Sequence, residues 1–394
     1  MIKREWYLQQ IRPFIDKDLI KVIVGIRRSG KSTLLKQLIA EIKKRNVKDN
    51  QVIYLNFEDY RVREYKDSDA LYAYLESQLV RDKKTYVFLD EIQEVEHFEY
   101  VVNSLHATQN VDIFITGSNS KMLSGEYATL LTGRYKSFHV FPLSFKELTM
   151  VYPHKDSKTL FNEYVQYGGF PILQSLDTDD QKRSTLRDLY DSVVIKDIVQ
   201  RHRVSAVDAL DKYISYLMNT VGSSFSAENI KNYFKSQGRV MSVETLYNYI
   251  SYAKEVLLIY SAKRYDLKGK KLLSTNEKYF VNDHGLRATK FSNQKDIEKI
   301  LENIVFFELL RRGYDVTVGT TGEKEVDFIA SKNQHKAYFQ VTYVMLEAQT
   351  KTREFASLNA IDDQFPKYVL SLDEFDFSHN GIVHKNLIDF LLES

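Results

Sequence analysis

One short stretch constrains the fold of this chain more than any other. The apolar run LIKVIVGI predicts a buried strand, and it leads directly into GIRRSGKS, residues 25–32. The next residues, KSTLLKQLIAEIKKR, carry apolar side chains at helical spacing. The stretch matches the pattern G-x-x-x-x-G-K-[ST] at every fixed position. Because a strand precedes it and a helix follows it, we interpret it as a phosphate-binding loop and not as a chance match.

Each fixed position of such a loop has a chemical role. Backbone N–H groups of the turn and the N-terminus of the following helix bind phosphate oxygens. Gly25 and Gly30 allow backbone conformations that a Cβ atom would obstruct. We expect Lys31 to contact the β- and γ-phosphates and the Ser32 hydroxyl to ligate Mg²⁺. The other predicted nucleotide contacts are Arg28, Ser29 and Thr33.

The stretch YVFLDEI is a second, independent signal. Four apolar residues precede Asp90 and Glu91, which places two acids at the tip of a predicted strand. We expect Asp90 to hold Mg²⁺ through water and Glu91 to act as the catalytic base that polarises the attacking water. The alternative is that both acids only cap the next helix, which is compatible with the catalytic interpretation.

Two further side chains are candidates for the same site. Asn119 follows Ser118 at the end of the predicted strand in FITGSNS, where a polar group can touch the γ-phosphate or orient water. The alternative is that Ser118 and Asn119 are only polar residues at the end of a strand, without a role at the phosphate. Arg134 follows a glycine turn and is a candidate to act on phosphate, either in cis or across a subunit interface. The alternative is that Arg134 only forms a salt bridge on the surface.

The pattern of helices and strands predicts four segments. Strands alternate with helices over residues 1–150, which predicts an α/β parallel sheet that binds its ligand at the carboxyl ends of the strands. Residues 151–215 are predicted to be a helical lid or linker. Residues 216–292 read as helix, turn, helix and hairpin, the order of a winged helix-turn-helix. Residues 293–394 alternate helices with strands and form a fourth segment.

The hairpin of the third segment is rich in basic residues. Its cationic side chains are Lys263, Arg264, Lys268, Lys270 and Lys271. A helix in the major groove with a basic wing on the phosphates is the usual way such a module binds DNA. Protein contacts are the alternative, since the helix SVETLYNYISYAKE carries little positive charge.

The last segment contains a second candidate metal site. Glu302 lies on a predicted helix, Asp327 ends the stretch EKEVD, and Gln340 lies on the next strand. This arrangement resembles the core of the PD-(D/E)xK nucleases, a restriction-endonuclease-like α/β fold in which such residues bind Mg²⁺. Two carboxylates and a polar oxygen suit a hard cation.

The lysine of that nuclease motif is missing. The stretch reads Gln340-Val341-Thr342, and threonine cannot supply the positive charge that stabilises an attacking hydroxide or a phosphate. Lys351 and Arg353 are the candidates to replace it. The sequence therefore favours a non-cleaving binding module over an active nuclease.

Composition excludes several classes of protein. The chain has no cysteine, which excludes disulfides, thiolate zinc sites and cysteine nucleophiles and fits a cytoplasmic protein. The N-terminus has no apolar signal-peptide region, and no apolar run approaches the roughly 20 residues that span a bilayer. Because the net charge is only +2, any binding of nucleic acid must depend on a local basic patch.

Several motifs together resemble a family of prokaryotic AAA-type ATPases that carry a characteristic C-terminal region. They are KREWYLQQI, VIVGIRRSGKSTLL, VFLDEIQ, ITGSNS, GRYKSFHVFPLSFKEL and YGGFP, and they extend the resemblance over essentially the whole chain. The resemblance implies an AAA-like core that binds ATP and Mg²⁺. It also implies kinship with signal-transducing NTPases and an oligomerisation that is open to regulation.

Three functions remain open at this point. The first is an ATP-hydrolysing switch or motor whose C-terminal modules bind nucleic acid. The second is a metal-dependent nuclease gated by ATP. The third is a nucleotide-switched scaffold that docks a protein partner without binding DNA, which the near-neutral charge mildly favours. A homo-oligomer is compatible with each of them.

Overall fold

The computed structural model describes residues 2–123, 131, 133–236, 238, 241–322, 324–345 and 348–393. The chain divides into two compact units. The first comprises Met1–Pro142 with Glu255–Leu257, and the second comprises Leu143–Lys254 with Leu258–Ser394. These units do not coincide with the four predicted segments.

The first unit is built on a five-stranded parallel sheet, which confirms the predicted α/β fold. Its strands are β1 (Ile20–Val24), β2 (Val52–Asn56), β3 (Thr85–Asp90), β4 (Val111–Gly117) and β5 (Tyr135–His139). Their order in the sheet is β2-β3-β4-β1-β5, so β1 lies between β4 and β5. Every residue of β1 and β3 is buried, as expected for a parallel sheet with helices on both faces.

Among the described residues of this unit, four α-helices accompany the sheet. They are α1 (Glu5–Ile11), α2 (Lys31–Lys43), α3 (Ser68–Gln78) and α4 (Phe98–Thr108). Helix α2 buries Leu34, Leu38 and Ile42, which share one face because they lie four residues apart. They join a core with Phe88 and Phe114, whose rings stack with centroids 4.6 Å apart. This packing fixes the start of α2 at the end of β1.

A buried ion pair joins β1 to β4 at the edge of the sheet where these strands begin. Lys21 and Asp112 are fully buried and hydrogen-bonded to each other. The Lys21 ammonium also donates to the carbonyl oxygen of Leu19 at 2.7 Å, and Asp112 accepts from the backbone N–H of Asp16 at 2.8 Å. Burial raises the pKa of Asp112 and lowers that of Lys21, so each charge depends on its partner.

We predict that Asp112→Ala lowers the free energy of unfolding by about 3–5 kcal/mol, because it leaves the Lys21 ammonium buried and unpaired. Urea denaturation of the intact chain measures this loss. The double variant Lys21→Met/Asp112→Leu is the control, and it should recover most of the stability because an apolar pair of similar volume replaces both charges. A double variant as unstable as Asp112→Ala would contradict this account.

The second unit contains a seven-stranded mixed sheet. Its strands are β6 (Ile259–Asp266), β7 (Lys271–Val281), β8 (Asp315–Thr321), β9 (Lys324–Lys332), β10 (His335–Val341), β11 (Lys367–Ser371) and β12 (Ile382–Asn386). Their order is β12-β11-β10-β9-β8-β6-β7, with β6 parallel to β8. The basic hairpin β6–β7 therefore belongs to the same sheet as the predicted nuclease-like strands. The predicted boundary at residue 292 divides this sheet.

Ten helices of this part of the described chain complete the fold. They are α5 (Phe145–Val151), α6 (Ser157–Tyr167), α7 (Asp179–Asp191), α8 (Val207–Asn219), α9 (Ala227–Ser236), α10 (Val243–Glu255), α11 (His284–Arg287), α12 (Ile297–Arg311), α13 (Ala348–Asn359) and α14 (Leu387–Leu392). Helices α9 and α10 precede the β6–β7 hairpin in the predicted order. Between α7 and α8, Ser192–Gln200 is π-helical. Among the described residues, no helix is both long and apolar enough to cross a membrane.

Candidate nucleotide site and acidic pocket

The predicted phosphate loop connects the end of β1 to the start of α2. Gly25 must be glycine because a Cβ atom there would lie 2.1 Å from the carbonyl oxygen of Val140. Gly30 has a φ of 100° and precedes the first helical residue, Lys31, without a side-chain cap. The N–H groups of the first turn of α2 therefore lack an intrahelical acceptor and are available to an anion.

Lys31 and Glu91 form a buried ion pair beside this loop. The Lys31 Nζ lies 3.0 Å from the Glu91 Oε1, and both side chains are almost fully buried. Lys31 also donates to the carbonyl oxygen of Gly25 at 3.1 Å, and Glu91 accepts from the Gln93 side chain at 2.6 Å. Burial pushes the pKa of Glu91 upwards, but Lys31 and Gln93 outweigh it and hold the pKa below its usual value. Glu91 is therefore ionised at neutral pH.

Asp90 is fixed at the same edge of the sheet. It is fully buried at the end of β3, and it accepts from the Thr116 hydroxyl at 2.5 Å and from the Tyr54 hydroxyl at 2.9 Å. Thr116 lies on β4 next to Ile23 of β1, and its hydroxyl also accepts from the N–H of Glu91 at 2.9 Å. Thr116 thus joins the acid pair to the strand that leads into the phosphate loop.

Asn119 lies just after the end of β4, at this same edge. Its side-chain amide donates to Glu255 at 3.2 Å, and its side-chain oxygen accepts from the N–H of Lys121 at 2.8 Å. The neighbouring Ser118 hydroxyl accepts from Gln93 at 3.4 Å. Asn119 is therefore near the acid pair but already hydrogen-bonded, and its contact with a γ-phosphate stays a prediction.

Arg134 is not brought to the phosphate loop of its own chain. It precedes β5, and the first residue of β5 pairs with Ile20 at the start of β1, whereas the loop follows the end of β1. A strand of this length is roughly 15 Å long, so the exposed Arg134 lies at the opposite edge of the parallel sheet. This placement corrects the predicted action in cis. Action across a subunit interface stays a prediction.

Arg4 contacts the phosphate loop, a contact that the sequence analysis did not predict. Its side chain is 2% exposed, and it donates to the carbonyl oxygens of Ser29 and Phe141, each at 2.8 Å. The guanidinium therefore ties the loop to the segment that follows β5. A charged residue near an amphipathic N-terminal helix reads as a surface group, so only the tertiary structure identifies this contact.

The loop and acid pair fit ATP and Mg²⁺. Among the described residues, the buried Ser29 hydroxyl has no hydrogen-bond partner and is available to a phosphate oxygen. The Ser32 hydroxyl is half-buried in the first turn of α2, and with the Asp90 carboxylate it offers the oxygen ligands that Mg²⁺ prefers. Thr33 lies in the same turn, and Arg28 is exposed on the loop with a φ of 63°.

Comparisons with known proteins agree with this geometry. The family described as AAA domain matches residues 17–149, and a domain of unknown function (DUF8612) matches residues 158–296. An "Uncharacterized protein" from Haemophilus influenzae is 39% identical over 100% of this chain and 99% of its own length. "Uncharacterized protein MJ1544" from Methanocaldococcus jannaschii is 32% identical over 87% of this chain and 79% of its own length. The chain belongs to the family of these proteins. Residues 17–149, most of which lie in the first unit, match an AAA domain of the P-loop ATPase type.

A comparison with solved structures finds partial similarity to proteins that include the following two. The Aeropyrum pernix ORC1 protein in complex with DNA is 13% identical, with a TM-score of 0.33 over 75% of this chain and 93% of that chain. A DNA polymerase III gamma subunit-related protein from Thermotoga maritima is 12% identical, with a TM-score of 0.29 over 64% of this chain and 99% of that chain. Because both TM-scores are low, the assignment of the AAA domain rests on the site geometry and on the match to the AAA family.

The second unit contains the predicted acidic site as a pocket of about 540 Å³. Glu302 from α12, Asp327 from β9 and Gln340 from β10 line it together. Asp327 accepts from the N–H of Val341 at 2.8 Å. The Gln340 side-chain oxygen accepts from the N–H of Asp327 at 3.4 Å and from the Ser357 hydroxyl at 3.2 Å. The side-chain oxygen of Gln340 is therefore hydrogen-bonded within the protein, and its bond to the N–H of Asp327 helps to position that residue.

A cation that pairs with two acids of this pocket comes from an unexpected strand. Lys278 on β7 is 4% exposed, and its Nζ lies 2.5 Å from Glu325 and 3.5 Å from Glu302. The predicted substitutes for the motif lysine contact other groups. Lys351 lies over the Phe377 ring, and Arg353, which lines the pocket, pairs with Glu354 at 2.7 Å.

The environment of this pocket disfavours the ionised form of two of its carboxylates. Burial raises the pKa of Glu302 to about 7, although Lys278 opposes this shift. Burial and the neighbouring Glu302 raise the pKa of Asp327 well above its usual value. Both pKa values are raised mainly because burial disfavours the ionised carboxylate, and the nearby positive charge does not fully offset this effect.

The basic hairpin keeps most of its predicted cations on the surface. Arg264 is the exception, since it donates to Glu325 at 2.9 Å and to the Ser224 hydroxyl at 2.8 Å. The exposed members of the predicted set are Lys263, Lys268, Lys270 and Lys271.

We predict that Arg4→Ala weakens ATP binding about tenfold and lowers the melting temperature. Two buried carbonyl oxygens lose their donor, and each such loss costs about 1–3 kcal/mol. Fluorescence titration with a labelled ATP analogue and thermal unfolding measure the two effects. Arg12→Ala is the control, because Arg12 pairs only partly buried Glu5 and Glu41. Equal effects of the two substitutions would contradict the role of Arg4.

Proposed function

We propose that this protein is a Mg²⁺-dependent, ATP-hydrolysing AAA switch or motor whose second unit binds nucleic acid. The observation that carries the proposal is the contact of Lys31 with Glu91, next to Asp90, at the loop edge of the parallel sheet. This arrangement unites a phosphate-binding cation, a metal-binding acid and an ionised base in one water-poor site.

Each side chain has a defined task in this proposal. The loop N–H groups and Lys31 bind the phosphates, and Ser32 and Asp90 would hold Mg²⁺. When bound, Mg²⁺ would supply positive charge that compensates the phosphates. Glu91 orients the attacking water and accepts its proton, for which an ionised carboxylate is required. Thr116 and Gln93 hold the acid pair in place through the contacts described above.

The Lys31–Glu91 pair also links binding to catalysis. In the structure each charge compensates the other, so Glu91 is held by a lysine. Phosphate oxygens compete for the Lys31 ammonium, and Glu91 is then free to act on water. The base would thus become available only when its substrate is bound.

We predict that Glu91→Gln lowers the ATP hydrolysis rate about 100- to 1000-fold and leaves ATP binding within a few-fold of wild type, because the amide cannot accept the proton. Steady-state phosphate release and an ATP-analogue titration measure the two quantities. Glu94→Gln is the control, since Glu94 lies three residues away and pairs with the partly exposed Lys66. Hydrolysis at the wild-type rate in Glu91→Gln would remove Glu91 from the mechanism.

Binding of nucleic acid is supported by the exposed lysines of the β6–β7 hairpin. Replacing Lys268, Lys270 and Lys271 together by alanine should weaken DNA binding at low salt. The slope of log affinity against log salt should fall by up to about 3, about one per lost phosphate contact. Anisotropy of labelled DNA measures this change. Lack of DNA binding by the unmodified protein even at low salt would favour the protein-docking scaffold.

A further inference from the structure

An arginine of the phosphate loop reaches across the edge of the parallel sheet. Arg27 lies three residues beyond the end of β1, and its Nη1 lies 2.6 Å from the Oε1 of Glu58, which follows the end of β2. In the sheet, β4 and β3 lie between these two strands. Because neighbouring strands are roughly 4.8 Å apart, β1 and β2 are separated by roughly 14 Å. The ion pair therefore bridges the ends of β4 and β3.

The acid pair of the nucleotide site lies at the end of the bridged strand β3. The Phe57 N–H donates to the carbonyl oxygen of Asp90 at 3.0 Å, which holds the Glu58 segment beside that strand. Burial raises the pKa of Glu91, whereas the loop lysine and Arg27 both lower it. The charge of Arg27 therefore acts at the carboxylate that would take a proton from water.

The contact between Arg27 and Glu58 is open to competition. The Arg27 side chain is 13% exposed, whereas the Glu58 side chain is 44% exposed. An ion pair with one partner largely in water stabilises a folded chain only slightly. A terminal phosphate carries more negative charge than a carboxylate and also matches the planar fork of a guanidinium. A γ-phosphate on the loop would therefore displace Glu58 from Arg27.

ATP hydrolysis would require positive charge at this edge of the sheet. The water oxygen bonds to the γ-phosphorus, Glu91 takes the water proton, and the bond to the bridging oxygen breaks with its electron pair left on ADP. Negative charge is then spread over the γ-phosphate oxygens and the bridging oxygen. Arg134, the arginine predicted for this task, lies at the opposite edge of the sheet. Arg27 lies at the correct edge and belongs to the same chain.

We propose that Arg27 binds the γ-phosphate in cis and stabilises the charge that develops there, and that Glu58 holds Arg27 when no γ-phosphate is bound. This inference rests on the proposed hydrolysis of ATP. It assigns a catalytic task to a loop residue outside the fixed positions of the phosphate-loop pattern. The exchange of Glu58 for phosphate also makes the segment after β2 sensitive to the γ-phosphate.

Phosphate release and titration of the full chain with fluorescent ADP, with and without aluminium fluoride, test this proposal. In the presence of Mg²⁺, aluminium fluoride beside ADP imitates the phosphoryl group in transfer, whereas ADP alone reports the rest of the site. Arg27→Ala should lower the hydrolysis rate about 100-fold and abolish the affinity that aluminium fluoride adds, with ADP affinity within about twofold of wild type. Arg27→Lys should restore only part of both quantities, because an ammonium lacks the fixed fork of donors.

The variant Glu58→Gln separates a catalytic role from a structural one. Arg27→Ala and Glu58→Gln both break the ion pair, so a purely structural pair predicts the same loss in each. The proposal instead predicts that Glu58→Gln hydrolyses ATP at least as fast as wild type. It should also bind a non-hydrolysable ATP analogue about threefold more tightly, with ADP affinity unchanged, because a weak competitor for Arg27 is removed.

Arg61→Ala is the matched control, because Arg61 lies in the same segment and pairs with Asp59 on the surface. It should leave all these quantities within about twofold of wild type. Full affinity for ADP with aluminium fluoride in Arg27→Ala would overturn the inference, and so would equal losses in Arg27→Ala and Glu58→Gln. Either result in a protein that hydrolyses ATP leaves the proposed function intact. A wild-type protein that releases no phosphate would overturn the proposed function and this inference with it.

Discussion

The buried contact between Lys31 and Glu91 is the interaction on which the rest of the first unit depends. Two opposite charges can lie in a water-poor site only if each has its partner close by. Helix α2 positions the lysine and strand β3 positions the acid, and Thr116 joins β3 to the strand beside the loop. The parallel sheet therefore serves to bring one cation and two acids to a single edge.

The second unit follows the same principle at a different place. Lys278 pairs with the partly buried carboxylates of Glu302 and Glu325, and the Thr342 hydroxyl, which lines the same pocket as these acids, has no partner in the described chain. At both places a lysine compensates acids in the structure. The nucleotide site and the acidic pocket thus differ in fold but share one electrostatic arrangement.

Local sequence was enough to predict the elements that act locally. The phosphate loop, the Asp90-Glu91 pair and the alternation of strands and helices all depend on neighbouring residues, and the structure places them as expected. The sequence left open whether Arg134 acts in cis or across a subunit interface, because its position depends on the pairing of β5 with β1, which no local pattern determines. Lys278 escaped prediction for a related reason, since only the folded sheet brings β7 close to the acids of α12 and β9.

A structure of the full chain with a non-hydrolysable ATP analogue and Mg²⁺ would test the central claim most directly. The account predicts that the Lys31 Nζ contacts phosphate oxygens and moves beyond 4 Å from Glu91, from its present 3.0 Å. It also predicts that Ser32 and Asp90 lie nearest the metal ion. An analogue bound elsewhere, or a Lys31–Glu91 pair that persists with the phosphates in the loop, would contradict it.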